Sequence, residues 1–116
     1  MEWAWEDSWI WKVNFLSEEI RKYTVKRNWS LNKEYHFGGY AKYDESLISF
    51  INNFKEETGV LLDPVYTGKM IFGIIDLIKK DKFEEGSKIL AIHTGGIQGI
   101  DGFNQILEKK DEQIIK

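Results

Sequence analysis

The sequence predicts an α/β fold with short parallel strands and flanking helices. Three observations predict it. Amphipathic helical periods alternate with short, unbroken apolar runs, Val60-Leu61-Leu62 and Ile89-Leu90-Ala91-Ile92. A run without polar residues suits a strand covered on both faces of a parallel sheet. Just past the end of each run lies a loop rich in hydroxyl groups and glycine, Tyr66-Thr67-Gly68 after the first and Thr94-Gly95-Gly96 after the second. Open α/β sheets bind ligands beyond the carboxyl ends of their strands, so these two loops are expected to form two walls of one pocket.

Bulk properties narrow the class. A chain of 116 residues fits one small domain or a piece of a larger one. Hydrophobic residues at 42% and aromatics at 15% are enough to bury a core. A net charge of −3 gives no basic field for nucleic acid. No apolar run is long enough to span a membrane, and the acidic Glu2, Glu6 and Asp7 are unlike a secretory leader. The absence of cysteine excludes disulfides and thiolate sites, and two histidines are too few for a histidine metal cage. A cytoplasmic location is expected, with no metal.

Taken in order, Met1 to Val13 holds Trp3, Trp5, Trp9 and Trp11, which would share one face of a strand. Such a patch seeks cover from a partner surface. Leu16 to Arg27 reads as a helix capped by Ser17, with Glu18 and Glu19 in its first turn. His36-Phe37-Gly38-Gly39-Tyr40 is a glycine-bearing turn. Asp44 to Thr58 is the clearest amphipathic helix, with Leu47, Phe50, Ile51 and Phe54 on one face, Asp44 as N-cap and Gly59 as C-cap. Pro64 ends the first strand. Thr67 to Lys80 is the next helix, with Thr67 as a candidate cap. Its apolar residues wrap nearly all round the axis, which predicts burial on more than one side. Gly99 and Gly102 interrupt the chain beyond the second glycine loop, and Phe103 to the end reads as a short helix with a charged tail.

Read from the residues alone, Thr94-Gly95-Gly96 could bind an anion or a ring edge through backbone N–H groups and a hydroxyl. Tyr66 could act as acid, base or nucleophile if its phenol were lowered from about 10. A lone tyrosine is more often a packed aromatic with a satisfied hydroxyl, a glycine pair is more often a simple turn, and Asp63 beside Pro64 could serve only to fix the turn.

Gly59 to Lys69, Phe72-Gly73-Ile74-Ile75-Asp76-Leu77-Ile78 and Ile89 to Gly96 together resemble the C-terminal part of the 1-aminocyclopropane-1-carboxylate deaminase and D-cysteine desulfhydrase family. The likeness covers roughly Phe15 to Asn104, so residues 1–14 form a divergent tryptophan-rich segment and residues 15–116 the family portion. It implies the C-terminal portion of a three-layer, tryptophan-synthase-β-like α/β domain that binds pyridoxal 5'-phosphate. It implies catalytic roles for Tyr66 and Tyr40, which match the family's two active-site tyrosines, and cofactor contacts for Thr67, Thr94, Gly95 and Gly96. Thr67 sits where the deaminases carry a glutamate, and Thr94 where they carry a leucine. Hydroxyl residues at both places resemble the desulfhydrases, so the implied reaction is α,β-elimination of D-cysteine to pyruvate, ammonia and hydrogen sulfide. The family's Schiff-base lysine, its substrate-carboxylate stretch and its phosphate loop have no match here, and Lys69 is not that lysine. The resemblance therefore implies a fragment, inactive alone, with a small amino acid as the substrate of the parent. A deaminase fragment, and a stand-alone interaction domain pairing two chains through its tryptophans, are the alternatives.

Overall fold

A computed structural model of the chain describes residues 15–116. The tryptophan-rich stretch, with Trp3, Trp5, Trp9 and Trp11, lies outside the described residues. The chain divides into two compact units, Met1–Lys33 and Glu34–Lys116.

In the first unit residues 15–23 are helical (α1). Ser17 is therefore inside the helix and not its cap. The helix stops at 23 rather than at Arg27. The Thr24 hydroxyl accepts the Lys26 N–H at 3.1 Å, and a side chain that takes a backbone donor in this way competes with the helical ladder. The Trp29 indole N–H then donates to the Lys26 carbonyl at 3.1 Å and holds the next turn.

The second unit is helical. Helix α2 spans Glu45–Thr58, α3 spans Thr67–Lys79, and a single 3-10 turn at Ile97–Gly99 leads into α4, Ile100–Lys109. The ends of α2 are set by its sequence. The Asp44 carboxylate accepts the Leu47 N–H at 2.9 Å, and Gly59 takes the left-handed conformation with φ 76°. Both are inexpensive ways to satisfy groups a helix end leaves unpaired.

The expected parallel strands are not formed among the described residues. Neither 60–62 nor 89–92 belongs to a ladder, and no backbone hydrogen bond joins the two segments. The physical reason lies in pairing. A buried parallel strand needs a neighbour for its backbone and helices over both faces, and the described residues supply neither. Leu90 is accordingly 87% exposed, and Ile89 and Ile92 are exposed beside it. Helix α3 departs from expectation in the same sense. Only Thr67, Gly68, Lys69 and Gly73 are buried, while Ile71, Phe72, Ile74, Ile75 and Leu77 are half-buried and Ile78 is exposed.

The core is built by α2, α4 and the C-terminal tail. Leu47, Ile48 and Ile51 meet Leu62, Ile100, Leu107 and Ile115, with Phe50, Phe54, Phe72 and Phe103 packed around them. The residues after α4 do not continue as a helix; they form a strap. Asn104 clasps Ile115 twice, donating to its carbonyl at 2.7 Å and accepting its N–H at 2.9 Å. Asn52 clasps the same strap from α2, through the Ile114 carbonyl and the Lys116 N–H. Asn104→Ala is expected to free Ile115 from one side and cost about 1–2 kcal/mol, read as a lowered midpoint in urea.

Candidate functional site

The site grows from the turn that begins α3. Asp63 is buried, at 2% exposure. Its carboxylate accepts the N–H groups of Val65 and Tyr66 at 2.8 Å and of Thr67 at 2.9 Å, and the Thr67 hydroxyl at 2.5 Å. The Thr67 hydroxyl in turn accepts the Asp63 N–H at 3.0 Å, and the Gly68 N–H donates to the Asp63 carbonyl at 2.8 Å. Asp63, rather than Thr67, is thus the capping group of the helix. A carboxylate here also meets the positive end of the helix dipole. Burial pushes the Asp63 carboxyl up, but its hydrogen bonds to Thr67, Tyr66 and Val65 outweigh this and hold it below the ordinary 3.8.

The glycine loop of residues 94–96 lies against the same turn. A Cβ on Gly96 would stand 3.0 Å from the Asp63 carboxyl carbon, so glycine is needed there both for this approach and for its φ of 90°. The His93 Nε2–H donates to the Leu61 carbonyl at 2.9 Å, and its Nδ1 accepts the Gly95 N–H at 3.0 Å. These two bonds select the neutral tautomer carrying its proton on Nε2 and tie one loop to the other. The loops abut. A groove of about 670 Å³ opens elsewhere, between residues 41–45 and α4, and neither Tyr66 nor Thr94 lines it.

Tyr66 projects from the capped turn and is 62% exposed. Its ring centroid is 6.2 Å from that of Tyr40, which is 68% exposed, with the planes at 59°. Such tilted pairs are a preferred aromatic geometry. Desolvation, then the Tyr40 phenol and the Asp63 charge, push the Tyr66 phenol above its ordinary value of 10.0. Tyr66 therefore keeps its proton at neutral pH. It begins as a proton donor, contrary to a phenol lowered into readiness as a nucleophile.

Lys69 secures the other tyrosine. It is buried at 7% exposure, and its ammonium donates to the carbonyls of His36 at 2.9 Å and Gly39 at 3.0 Å. Burial lowers its pKa, and the Asp63 charge opposes that. Sequence reasoning gave neither Asp63 nor Lys69 a structural role of this weight. The signal for Asp63 was present: Asp before Pro at a helix start is a capping pattern. For Lys69 the signal is a lone cation within the run from Gly68 to Phe72.

Of the residues implied for the cofactor, the Thr67 hydroxyl is wholly engaged with Asp63, the Gly95 N–H is taken by His93, and Thr94 is exposed. Lys69, the one buried amine among the described residues, is committed to two carbonyls. This donor set does not by itself fit pyridoxal phosphate. The described residues form one tyrosine-bearing face and hold no group of His, Asp or Glu that could seat a metal ion. No described helix is long and apolar enough to cross a membrane.

Comparison with known proteins gives this face its relatives. A Pyrococcus furiosus protein, provisionally named a 1-aminocyclopropane-1-carboxylate deaminase, is 43% identical over 91 residues, 76% of this chain and 27% of its own length. The mitochondrial bifunctional D-cysteine desulfhydrase/1-aminocyclopropane-1-carboxylate deaminase of Arabidopsis thaliana is 49% identical over 63 residues, 53% of this chain and 16% of its own. The 1-aminocyclopropane-1-carboxylate deaminase of Cyberlindnera saturnus is 33% identical over 113 residues, 84% of this chain and 33% of its own. No family model matches the chain, and no solved structure matches it. The relatives define a segment from a class of amino-acid deaminases and desulfhydrases. The chain belongs to the 1-aminocyclopropane-1-carboxylate deaminase / D-cysteine desulfhydrase family. It spans no more than a third of the length of these relatives, and that partial coverage fits a C-terminal piece of the family.

Proposed function

We propose that this chain is the tyrosine-bearing wall of a D-cysteine desulfhydrase-like lyase, with pyridoxal phosphate anchored by parts of the family that have no match here. The observation that carries the reading is the Tyr40–Tyr66 pair, held at 6.2 Å by two loops fixed on one helix start. In the elimination, a proton passes from the α-carbon to a base supplied by the parts of the family that have no match here, the bond from β-carbon to sulfur breaks with its electron pair going to sulfur, and the sulfur takes up a proton as hydrogen sulfide. The remaining enamine hydrolyses to pyruvate and ammonia. Tyr66, protonated through the neutral range, serves as the donor to the departing sulfur. Its phenol is raised, so this capacity is fully present below the ordinary phenol value and is lost only as pH climbs past it.

Thr67 supports the desulfhydrase reading over the deaminase reading. Its hydroxyl is neutral and turned onto Asp63, so it brings no second carboxylate towards a ring nitrogen. Such a site permits a less charged cofactor ring, which is sufficient for loss of a thiol. The alternative of an interaction domain rests on Leu90, Ile89 and Ile92, whose exposure suits contact with a second surface.

The test is a chimera in which the matching stretch of the Arabidopsis relative is replaced by the corresponding residues of this chain. The chimera is expected to keep the visible absorbance of bound cofactor and to release sulfide from D-cysteine. Tyr66→Phe in that chimera should lower kcat by about a hundredfold. A cofactor-loaded chimera whose sulfide release survives Tyr66→Phe within about twofold would remove the role given to Tyr66. The isolated chain should gain no borohydride-sensitive absorbance when mixed with pyridoxal phosphate. A clean dimer in sizing, with an inactive but loaded chimera, would favour the interaction reading.

A further inference from the structure

We infer that Lys69 is the positioning residue of the tyrosine pair: its buried ammonium holds loop 36–40 so that Tyr40 stays against Tyr66. The inference deepens the proposed function and rests on it for its catalytic meaning, but the geometry stands on its own.

Loop 36–40 has an unfavourable backbone. Phe37 and Ala41 take φ of 55° and 56°, a region that non-glycine residues enter only at a cost, and Gly38 and Gly39 between them are at 97° and 133°. A conformation of this kind persists only where its surroundings over-determine it. Within the loop the bonds that do so are all local: the Gly39 N–H reaches the His36 carbonyl at 3.1 Å, the Lys42 N–H the Gly39 carbonyl at 3.1 Å, and the Gly38 N–H the His36 Nδ1 at 2.9 Å. Lys69 adds a charged donor to each of those same two carbonyls and lies 6.0 Å from the centre of the Phe37 ring. Charge-assisted bonds of this type are roughly twice as strong as neutral ones. A buried ammonium whose hydrogen-bond partners are both neutral carbonyls is costly, so its placement needs a return. That return is the register between the two loops. Tyr66 is one residue before α3 and Lys69 is inside its first turn, so the helix start that aims Tyr66 also grips the residue preceding Tyr40. Phe37 also packs edge-on against Phe72 of α3, with ring centres 5.0 Å apart, and a further tether joins the same segment to α3, from the Tyr35 hydroxyl to Asp76 at 2.7 Å. It provides the control.

The test uses the full chain, without cofactor or D-cysteine. Tyrosine rings are labelled for NMR, and two quantities are followed in Lys69→Met: the ring-to-ring contact between Tyr40 and Tyr66, and the titration of the Tyr66 phenol. The contact is expected to be lost, and the Tyr66 titration to move down towards the ordinary phenol value as its neighbour departs. Tyr35→Phe, which cuts the other tether, should leave both unchanged. A merely structural lysine would alter stability and leave the Tyr66 titration where it is. A folded Lys69→Met chain with the contact and the titration both unaltered overturns the inference. Should Lys69→Met fail to fold, Lys69→Gln takes its place. Its shorter arm cannot span both carbonyls, so a Tyr40–Tyr66 contact of undiminished strength in that variant also overturns it. Because the titration involves no turnover, loss of the contact alongside full sulfide release in the chimera would refute the catalytic reading of the pair, and not the role of Lys69.

Discussion

Asp63→Ala is expected to unravel the start of α3 and to cost about 3 kcal/mol in stability, measured by urea denaturation of the full chain. The size reflects the groups the carboxylate holds. It accepts three backbone N–H groups and one hydroxyl in a position that water hardly reaches. Loss of a cap costs about 1 kcal/mol, and each buried donor left unpaired adds about 1–3 kcal/mol, reduced where relaxation lets water in. Asp63→Asn should cost less, since an amide keeps one acceptor oxygen, but it turns a donor towards N–H groups that need acceptors. The pH dependence has a definite sign. The folded carboxyl is held below 3.8, so its stabilisation is fully present above that value and is lost as pH falls through the lower folded value. Wild type should therefore lose stability below about pH 4 by more than Asp63→Ala does. A cost under about 1 kcal/mol, or an equal acid response in both proteins, would show that the turn is held by other groups.

Gly68→Ala should cost about 3 kcal/mol as well, although alanine is the better helix former. A Cβ at this position would lie 2.5 Å from the Asp63 carbonyl oxygen and 2.8 Å from the Ile51 Cδ1. The isoleucine end can rotate away. The carbonyl cannot, because it belongs to the turn and accepts the Gly68 N–H at 2.8 Å. The substitution therefore pushes α3 off its cap, and Tyr66 moves with it. Gly102→Ala in α4 is the comparison, since nothing lies within 4 Å of its added carbon. That variant should gain about 0.5–1 kcal/mol from helix propensity alone. Equal effects at the two glycines would mean that α3 packs loosely on its turn.

Both predictions concern groups whose importance the sequence showed only faintly. Helix α2 was readable in full, because its apolar period, its Asp44 cap and its terminal Gly59 are local signals and each acts within four residues. The start of α3 is readable to the residue, but the sequence offers Thr67 as a candidate cap where Asp63 carries that role. Four residues of separation allow either side chain to do so, and only the turn geometry at Pro64 decides between them. The pairing of Tyr40 with Tyr66 came from a family resemblance. Nothing in the intervening chain states that distance, and it depends on a lysine reaching back across 30 residues to a carbonyl.

The apolar runs mark a clear limit. Composition and periodicity established helix α2 with both of its caps, the start of α3, the tight turns and the lack of cysteine chemistry, since each of these depends on a residue and its near neighbours. Whether Val60-Leu61-Leu62 and Ile89-Leu90-Ala91-Ile92 become strands was a matter for tertiary structure alone. A strand exists only through hydrogen bonds to another segment, and a buried charge such as Lys69 is tolerable only when distant carbonyls come to meet it.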